Sequence, residues 1–368
     1  DARARASTMR RIPSAGASLL RSWARAAGVS GSAPTGSFAP AAFHGGFMNA
    51  QQRAFSQKVS AAEVKLLRDQ TGSPMMDCKR ALQDSGGDLK VAVEWLRKKG
   101  MASASKKEGR KSADGLVGVM IDEAGKKGAV IELNSETDFV AKNPVFQKLA
   151  LEICLFRLTS PTGMSLEDFK LAKLPTGPKS ETAVAVGDAV KEMVATVGEN
   201  CQLRAAAALE VTAGRVVRYI HTPVAANLGK VGVLVALETT ATDAAALEQL
   251  GIKLAMHIAA GMPLYCRVED IPEADLAAEK KIFMEQAAES GKPANIAEKM
   301  AGGRLAKWKE EVVLEDQQFL ISGQDDKKLS VKQVVAGAAA SLGAPVAIAG
   351  FARVKLGQAA AQAAEAAV

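Results

Sequence analysis

The chain has 368 residues, 48% of them apolar and 24% charged, and its formal net charge is +7. A chain of this length has room for two or three domains. Its four cysteines are too few for a disulfide scaffold, so we expect a reducing compartment. A net positive charge suggests a nucleic-acid partner, but the distribution of that charge along the chain argues against one.

Most of the excess charge lies in the first 57 residues. This segment has seven arginines, no lysine and one acidic residue, a net charge of +6, whereas residues 58–368 have 40 basic and 39 acidic residues. A segment rich in Arg and Ser and poor in acids is typical of an organellar transit peptide, and an ordinary disordered tail is the alternative. We predict a disordered transit peptide over residues 1–56. Its arginines and the sequence Arg53-Ala54-Phe55-Ser56 favour the mitochondrial matrix over the plastid.

Residues 57–100 have the pattern of three short helices. Ser60 and Glu63 have the spacing of a capping box at the start of the first helix, and glycine-containing turns separate the helices. Residues 101–112 are predicted to form a basic linker. Phosphate contacts are the alternative for this region, but it lacks interleaved aromatic residues, which favours a solvated linker. The basic run consists of Arg97, Lys98, Lys99, Lys106, Lys107, Arg110 and Lys111.

A weak internal repeat predicts two related α+β halves within residues 113–357. The segments that begin at Gly128 and Gly232 each read as a strand entering a loop, and an apolar-periodic helix follows each of them. The predicted fold class is therefore α+β. Near the end, Ser330 reads as the cap of a helix that precedes a strand. Residues 333–352 are uncharged, but their many Ala and Gly residues gain too little on insertion to span a bilayer.

A projecting antiparallel helical hairpin is predicted over residues 270–314, inserted in the core. Two charged, Ala-rich segments there flank the turn signal Ser290-Gly291-Lys292-Pro293. Beyond the core, residues 358–368 read as an Ala-rich tail. Seven apolar residues are predicted to form a narrow seam between the two helices: Leu276, Ile282, Phe283, Ala287, Ile296, Met300 and Leu305.

The sequence lacks the patterns that carry covalent chemistry. It has no phosphate-binding Gly-rich loop and no dinucleotide-binding glycine pattern. Its four cysteines are not at metal-ligand spacing, and its three histidines are scattered. We expect no cofactor and no metal, and a non-covalent binding or regulatory role rather than catalysis.

Three collinear motifs resemble the elongation factor Ts family. The segment from Val64 to Leu82, followed by Ala92-Val93-Glu94-Trp95-Leu96, resembles the family's amino-terminal module, which is itself similar to ubiquitin-associated domains. The segment from Glu132 to Asn143 matches the family's Thr-Asp-Phe-Val signature. Ser290-Gly291-Lys292-Pro293 matches its helical hairpin, and Gly198-Glu199-Asn200 with Tyr219-Ile220-His221 matches its core. The resemblance covers about residues 58–357.

The resemblance implies guanine-nucleotide exchange on an organellar elongation factor Tu during translation elongation. The factor would bind the GDP-bound and nucleotide-free forms of this GTPase and promote GDP release, with no bond made or broken. It would bind no nucleotide itself, no membrane and no specific nucleic acid. Two other classes stay open at this point: a ubiquitin-like-binding adaptor that uses residues 60–100, and an RNA-binding protein that uses the basic run.

The resemblance also implies which residues contact the partner. Four consecutive residues correspond to the segment that dislocates Mg²⁺ in elongation factor Tu: Thr137, Asp138, Phe139 and Val140. Pro144 favours an outward Phe139, because it begins a new helix and so interrupts the apolar pattern. The alternative is that Phe139 begins the core stripe that contains Phe146.

Six further residues correspond to partner contacts: Arg68, Met75, Met76, Lys79, Gly198 and His221. Adjacent methionines suit an adaptable interface, but one of the two is expected to pack inside the three-helix module. Gly198 has the alternative role of a helix-terminating glycine, and His221 that of a histidine at the end of a strand.

Overall fold

The computed structural model describes residues 59–175, 183–289, 293–321 and 329–358. The predicted transit peptide, the first three residues of the hairpin turn and the Ala-rich tail from residue 359 onward lie outside the described residues. Within those ranges the chain forms eleven α-helices and antiparallel sheet, which confirms the α+β class. None of the described helices combines the length and the apolar character needed to cross a membrane.

The first three helices form a small module with its own core. They are α1 (Ala61–Thr71), α2 (Met75–Asp84) and α3 (Leu89–Lys107). The capping box is present, because the Glu63 amide donates to Ser60 Oγ at 3.2 Å and the Ser60 amide donates to the Glu63 carboxylate at 2.9 Å. The buried apolar residues of the module are Val64, Leu67, Cys78, Ala81, Leu82, Ala92 and Leu96.

Helix α3 replaces most of the predicted basic linker. It continues without a break to Lys107, so the prediction of a linker that starts at residue 101 is wrong. The extension packs on α7 (Val186–Val197), where a Cβ on Gly100 would lie 2.7 Å from the Cβ of Ala195. Ala104 is buried in the main core. Good helix formers and a packed face therefore outweigh the solvated appearance of the sequence.

One antiparallel sheet forms the centre of the molecule. Its strand order is β5-β2-β1-β7-β6, and β8 pairs with β7. β1 meets β7 through only two residue pairs, Val117 with Gly229 and Gly118 with Leu228. The strands are β1 (Asp114–Ile121), β2 (Lys127–Ser135), β5 (Gln202–Glu210), β6 (Gly214–Ala225), β7 (Leu228–Thr239) and β8 (Val346–Lys355); a separate two-stranded piece pairs β3 (Lys173–Leu174) with β4 (Val184–Ala185).

The internal repeat corresponds to a hairpin followed by a helix, which occurs twice. β1 and β2 lead to α4 (Asp138–Ala141) and α5 (Pro144–Thr159), and β6 and β7 lead to α8 (Ala244–Gly261). Alternate residues of β2 lie in different clusters: Ile131 packs in the α5 and α7 cluster, and Val130 packs against residues of β6 and β7. The two halves share one sheet because β1 and β7 join them.

Two helices of the second half pack on each other as a hairpin. α9 (Glu273–Glu289) and α10 (Ala294–Val312) pack through Ala287, Ala297 and Ala301, with Phe283 and Met300 beside them. Two predicted seam residues, Ile282 and Ile296, are exposed instead. Each lies one position away from a seam residue, so it points about 100° away around its helix.

The base of this hairpin is fixed by backbone bonds. The Leu264 amide donates to the Val312 carbonyl and the Leu314 amide donates to the Tyr265 carbonyl, both at 2.8 Å. The remaining helices are α6 (Leu166–Leu171) and α11 (Val331–Leu342). As predicted, Ser330 caps α11 and a strand follows it.

Candidate functional site

A four-residue helix presents the Thr-Asp-Phe-Val segment. α4 follows directly on β2, and Asn143 then caps α5 by accepting a hydrogen bond from the Val145 amide at 2.9 Å. Val140 and Ala141 are buried in the main core, where they anchor the segment from below. The segment is therefore short and anchored in the core through two of its four helical residues.

Phe139 is 80% exposed. Burial of such a ring stabilises a fold by roughly 1.5–3 kcal/mol. The exposed ring of Phe139 does not contribute this free energy to the stability of the fold. Phe146 is fully buried in the main core. The alternative in which Phe139 begins the core stripe is therefore excluded, because Val140 and Ala141 occupy the inward positions next to it.

Asp138 lies beside Phe139 and carries a negative charge. The Lys142 ammonium donates to its carboxylate at 2.7 Å. This hydrogen bond, with the positive charges of Lys142 and Lys230, holds the pKa of Asp138 below its ordinary value of 3.8. The segment thus presents an aromatic ring and an ionised carboxylate side by side.

The turn after α7 is joined to this segment by side-chain hydrogen bonds. The Glu199 carboxylate accepts from the Thr137 amide at 3.0 Å and from Thr137 Oγ1 at 2.7 Å. The Asn200 backbone amide donates to Glu136 Oε1 at 2.6 Å. Gly198 ends α7 in the left-handed conformation, with φ of 80°. The structure therefore brings Gly198 next to Thr137, as a helix-terminating glycine that also opens the bracing turn.

Sequence reasoning missed Glu199 and Asn200 as parts of the site. The motif Gly198-Glu199-Asn200 was matched to the family core, but a partner contact was assigned to Gly198 alone. The available signal was the pair of polar residues that follows this helix-terminating glycine. Their partners lie 62 and 64 residues earlier in the chain. A contact over that separation cannot be inferred from local spacing.

The end of α3 contacts the same turn. Lys107 Nζ donates to the Gly198 carbonyl at 2.8 Å, and Asn200 Nδ2 donates to the carbonyls of Glu108 and Arg110 at 3.2 and 2.7 Å. Four members of the basic run thus have intramolecular partners, which weakens the RNA-binding alternative. These contacts are Arg97 with Glu192, Lys99 with Asp77, Lys107 with Gly198, and Arg110 with Glu136.

The predicted contacts of the amino-terminal module form a separate exposed corner between α1 and α2. Met75 and Met76 are 46% and 72% exposed, and Arg68 and Lys79 are also exposed. The expectation that one methionine packs in the module is wrong. Both lie in the first turn of α2, whose inward positions are taken by the Cys78 side of the helix.

His221 lies near the end of β6 and is exposed. Its Nδ1 atom lies 3.1 Å from the Tyr219 hydroxyl. Leu228, at the start of β7, and Val140 of α4 both belong to the main core cluster. Lys230 also acts on the charge of Asp138. His221 thus belongs to the hairpin that flanks the α4 segment.

A rigid scaffold that presents exposed side chains on a braced segment is the arrangement of a macromolecule-binding protein. The chain matches the family model for elongation factor TS over residues 136–358. Elongation factor Ts from Rhodospirillum rubrum and from Rhodospirillum centenum are each 46% identical to it over 301 residues, which is 82% of this chain and 93% and 94% of theirs. Elongation factor Ts from Rhizobium leguminosarum bv. trifolii is also 46% identical, over 82% of this chain and 93% of its own.

The chain therefore belongs to the elongation factor Ts family. Membership gives it the role of a nucleotide exchange factor in translation elongation, with elongation factor Tu as its partner.

Proposed function

We propose that this protein is the guanine-nucleotide exchange factor of a mitochondrial elongation factor Tu, and that the α4 segment releases GDP from that partner. The observation that carries the proposal is the exposure of Phe139, 80% in a segment that is otherwise anchored in the core. Because the segment is already ordered, insertion of the Phe139 ring into a partner carries a smaller loss of conformational entropy.

The mechanism is a coupling of two binding equilibria. GDP in a GTPase is held by backbone amides around its phosphates and by a bound Mg²⁺ ion. Phe139 acts as a wedge that displaces the partner's residues around the Mg²⁺ site. The ionised Asp138 offers a carboxylate that competes for the hydrogen-bond donors of that site. The factor binds the nucleotide-free GTPase more tightly than the GDP-bound form, so a returning nucleotide expels the factor. No bond is made or broken.

A second contact sets the orientation of the factor on its partner. We assign it to the exposed corner of the module, with Arg68, Met75, Met76 and Lys79 facing the GTP-binding domain. Flexible methionine side chains adapt to an apolar surface. Gly198 and His221 complete the contact beside the α4 segment.

Exchange itself is tested by the release of fluorescently labelled GDP from mitochondrial elongation factor Tu of the same organism. The protein is expected to accelerate release, and an unchanged rate would reject the proposal. Phe139→Ala is expected to lower the release rate at saturating factor by about tenfold, with a smaller loss of affinity. Leu171→Ala, which alters a similarly exposed apolar residue on α6, is the matched control and should leave the rate unchanged.

The location is tested separately by import. The confinement of a +6 charge to the first 57 residues supports a mitochondrial address. We expect residues 1–57 to carry a fluorescent protein into isolated mitochondria only when a membrane potential is present. The same segment with its seven arginines changed to Gln should not be imported. Import of the original fusion into plastids alone would show that the assignment to mitochondria is wrong.

A further inference from the structure

The turn Gly198-Glu199-Asn200 connects two parts of the molecule that are far apart in sequence. On one side it holds the α4 segment through Thr137 and Glu136. On the other it holds the end of α3 through Lys107 and through the Glu108 and Arg110 carbonyls. Because α3 is the last helix of the amino-terminal module, the turn links the module to the α4 segment that carries Phe139.

Helix α4 depends on this outside support. It has only four residues, too few for a helix to be stable by itself. Thr137 is its N-cap residue, yet the threonine hydroxyl makes no capping bond to α4 and donates to Glu199 instead. The carboxylate of Glu199 thus fixes both the amide and the hydroxyl of the residue from which α4 begins.

The other side of the turn is equally specific. The Asn200 side-chain amide donates both of its described hydrogen bonds to carbonyls just beyond the last turn of α3, which lack helical partners. Farther along α3, Arg97 contacts Glu192 of α7 at 2.9 Å. α3, α7 and the turn therefore form one braced unit.

We propose that Glu199 and Asn200 are positioning residues that set the direction of Phe139 relative to the amino-terminal module. Glu199 orients the α4 segment, and Asn200 joins the same turn to α3. When the module docks on the GTPase, these contacts also fix the direction of the Phe139 ring. This role rests on the proposed exchange function. Neither residue is required to touch the partner.

The first measurement needs no partner. The clamp is the pair of hydrogen bonds from Thr137 to the Glu199 carboxylate. Glu199→Gln leaves a single acceptor oxygen and Thr137→Val removes the hydroxyl donor, so each breaks one of the two bonds. Amide hydrogen exchange of residues 138–142 in the full chain should become about tenfold faster in each variant. Thr137→Ser keeps the hydroxyl and should retain slow exchange. Glu167→Gln, at an exposed glutamate of α6, is the matched control. Equal exchange rates in all five proteins would overturn the clamp, provided that thermal melts show each variant folded.

The second measurement uses elongation factor Tu. Glu199→Gln should lower the GDP release rate at saturating factor by about tenfold, while the affinity for the nucleotide-free GTPase falls less than about threefold. Thr137→Ser should restore the rate that Thr137→Val loses. Faster amide exchange with an unchanged release rate would overturn the positioning role and leave the exchange function intact. Failure of the unaltered protein to release GDP would instead overturn the exchange function, and this role with it.

Asn200→Asp tests the link to the module. A carboxylate in this position would face the Glu108 and Arg110 carbonyls, so the end of α3 should separate from the turn. Hydrogen exchange is then expected to increase in residues 107–112 as well as 138–142, and GDP release should slow. An effect confined to residues 107–112, with normal release, would show that the module and Phe139 are not coupled through this turn.

Discussion

Arg157 is a buried cation whose guanidinium is hydrogen-bonded to backbone carbonyl groups. It is 1% exposed, and its guanidinium donates to the carbonyls of Pro161, Thr162 and Ala206. The group also lies over the Phe169 ring at 5.6 Å. Burial lowers the pKa of Arg157 below its ordinary value, but an arginine stays charged in proteins. The side chain therefore stabilises the chain after α5 by bonding two of its carbonyls, and it joins that segment to β5 through the Ala206 carbonyl.

Removal of this guanidinium should be costly. Arg157→Ala is expected to reduce the free energy of unfolding by about 2–5 kcal/mol, because it leaves a cavity and unpaired carbonyls. Arg157→Lys should recover only part of this, since an ammonium lacks the planar fork. Urea unfolding measures both. Lys191→Ala, on the exposed face of α7, is the control, and an equal loss in that variant would contradict the prediction.

His257 joins α8 to the segment that follows the hairpin. The Leu320 amide donates to Nδ1 at 3.2 Å, so the ring proton lies on Nε2, which donates to Gln317 Oε1 at 2.9 Å. Burial lowers the pKa of His257 below its ordinary value of 6.5, against a smaller opposite effect of the Gln317 bond. The ring is therefore neutral at neutral pH and fully paired.

This pKa shift predicts a loss of stability in acid. Between pH 6.5 and the lower pKa of the folded state, the unfolded chain binds a proton that the folded chain does not, so stability falls as pH falls. The stability contributed by the neutral His257 ring is fully present above about pH 6.5. Urea unfolding of the protein and of His257→Gln should be compared at pH 7.5 and 5.5. The difference in stability between the two proteins should shrink in acid, and a constant difference would contradict the assignment.

The residues of the site were predictable to different degrees. The outward direction of Phe139 was predictable from the sequence, because Pro144 starts a helix immediately after the segment. The capping residue Asn143 gave the same local signal. Glu199 could not be assigned a role in this way, because its hydrogen bonds to Thr137 depend on how α7 packs against the sheet.

At the scale of elements, α3 shows the limit of composition. Its second half is Lys- and Ser-rich and reads as solvated, yet one face packs on α7 through Gly100 and Ala104. The hairpin shows the same limit more mildly: both helices were predicted, but the seam was placed partly on Ile282 and Ile296. By contrast α11 and β8 were predicted closely, since Ser330 and Gly343 are strong local signals at the two ends of the helix.

Two helical glycines should respond in opposite ways to the same substitution. A Cβ on Gly100 would lie 2.7 Å from the Ala195 Cβ, whereas a Cβ on Gly302 in α10 would meet nothing within 4 Å. Gly100→Ala should therefore destabilise the contact of α3 with α7 by about 1–3 kcal/mol. Gly302→Ala should stabilise its helix by about 1 kcal/mol.

Amide hydrogen exchange reports each effect where it occurs. Exchange in α3 should become faster in Gly100→Ala, and exchange in α10 should become slower in Gly302→Ala. A stabilising effect at residue 100 would mean that α3 and α7 are not in close contact. Each variant serves as the control for the other.

At the scale of the whole molecule, the repeat predicted the two halves but not how they join. The link includes the pair of contacts between β1 and the start of β7, and the two residues that follow β8 reinforce it. The Gly357 amide donates to the buried Glu132 carboxylate at 2.8 Å, and Leu356 bonds to the Lys230 carbonyl. These contacts involve residues far apart in sequence, so they are visible only in the folded chain.

The amino-terminal module and the hairpin differ in how far they share the central core. Ala104 of α3 lies in the main cluster, whereas the hairpin has its own cluster around Ala287, Ala297 and Ala301. Beyond its backbone base, the hairpin is joined to the core by the Tyr265 hydroxyl, which donates to Asp275 at 2.7 Å, and by Gln317 Nε2, which donates to the Glu311 carbonyl at 2.6 Å. The hairpin should therefore be removable, and the module should not.

Two deletions test this difference by thermal unfolding. Replacement of residues 273–312 by a short Gly-Ser linker should lower Tm by less than about 4 °C, because the cluster around Leu314 and Phe319 stays packed on α8. Removal of residues 59–107 should lower Tm by about 5–10 °C, because it exposes the face of α7 and takes Lys107 away from Gly198. Circular dichroism at 222 nm follows both transitions. If the hairpin deletion proved the more damaging of the two, the hairpin would belong to the central cooperative unit, and its small alanine seam would not be its main support.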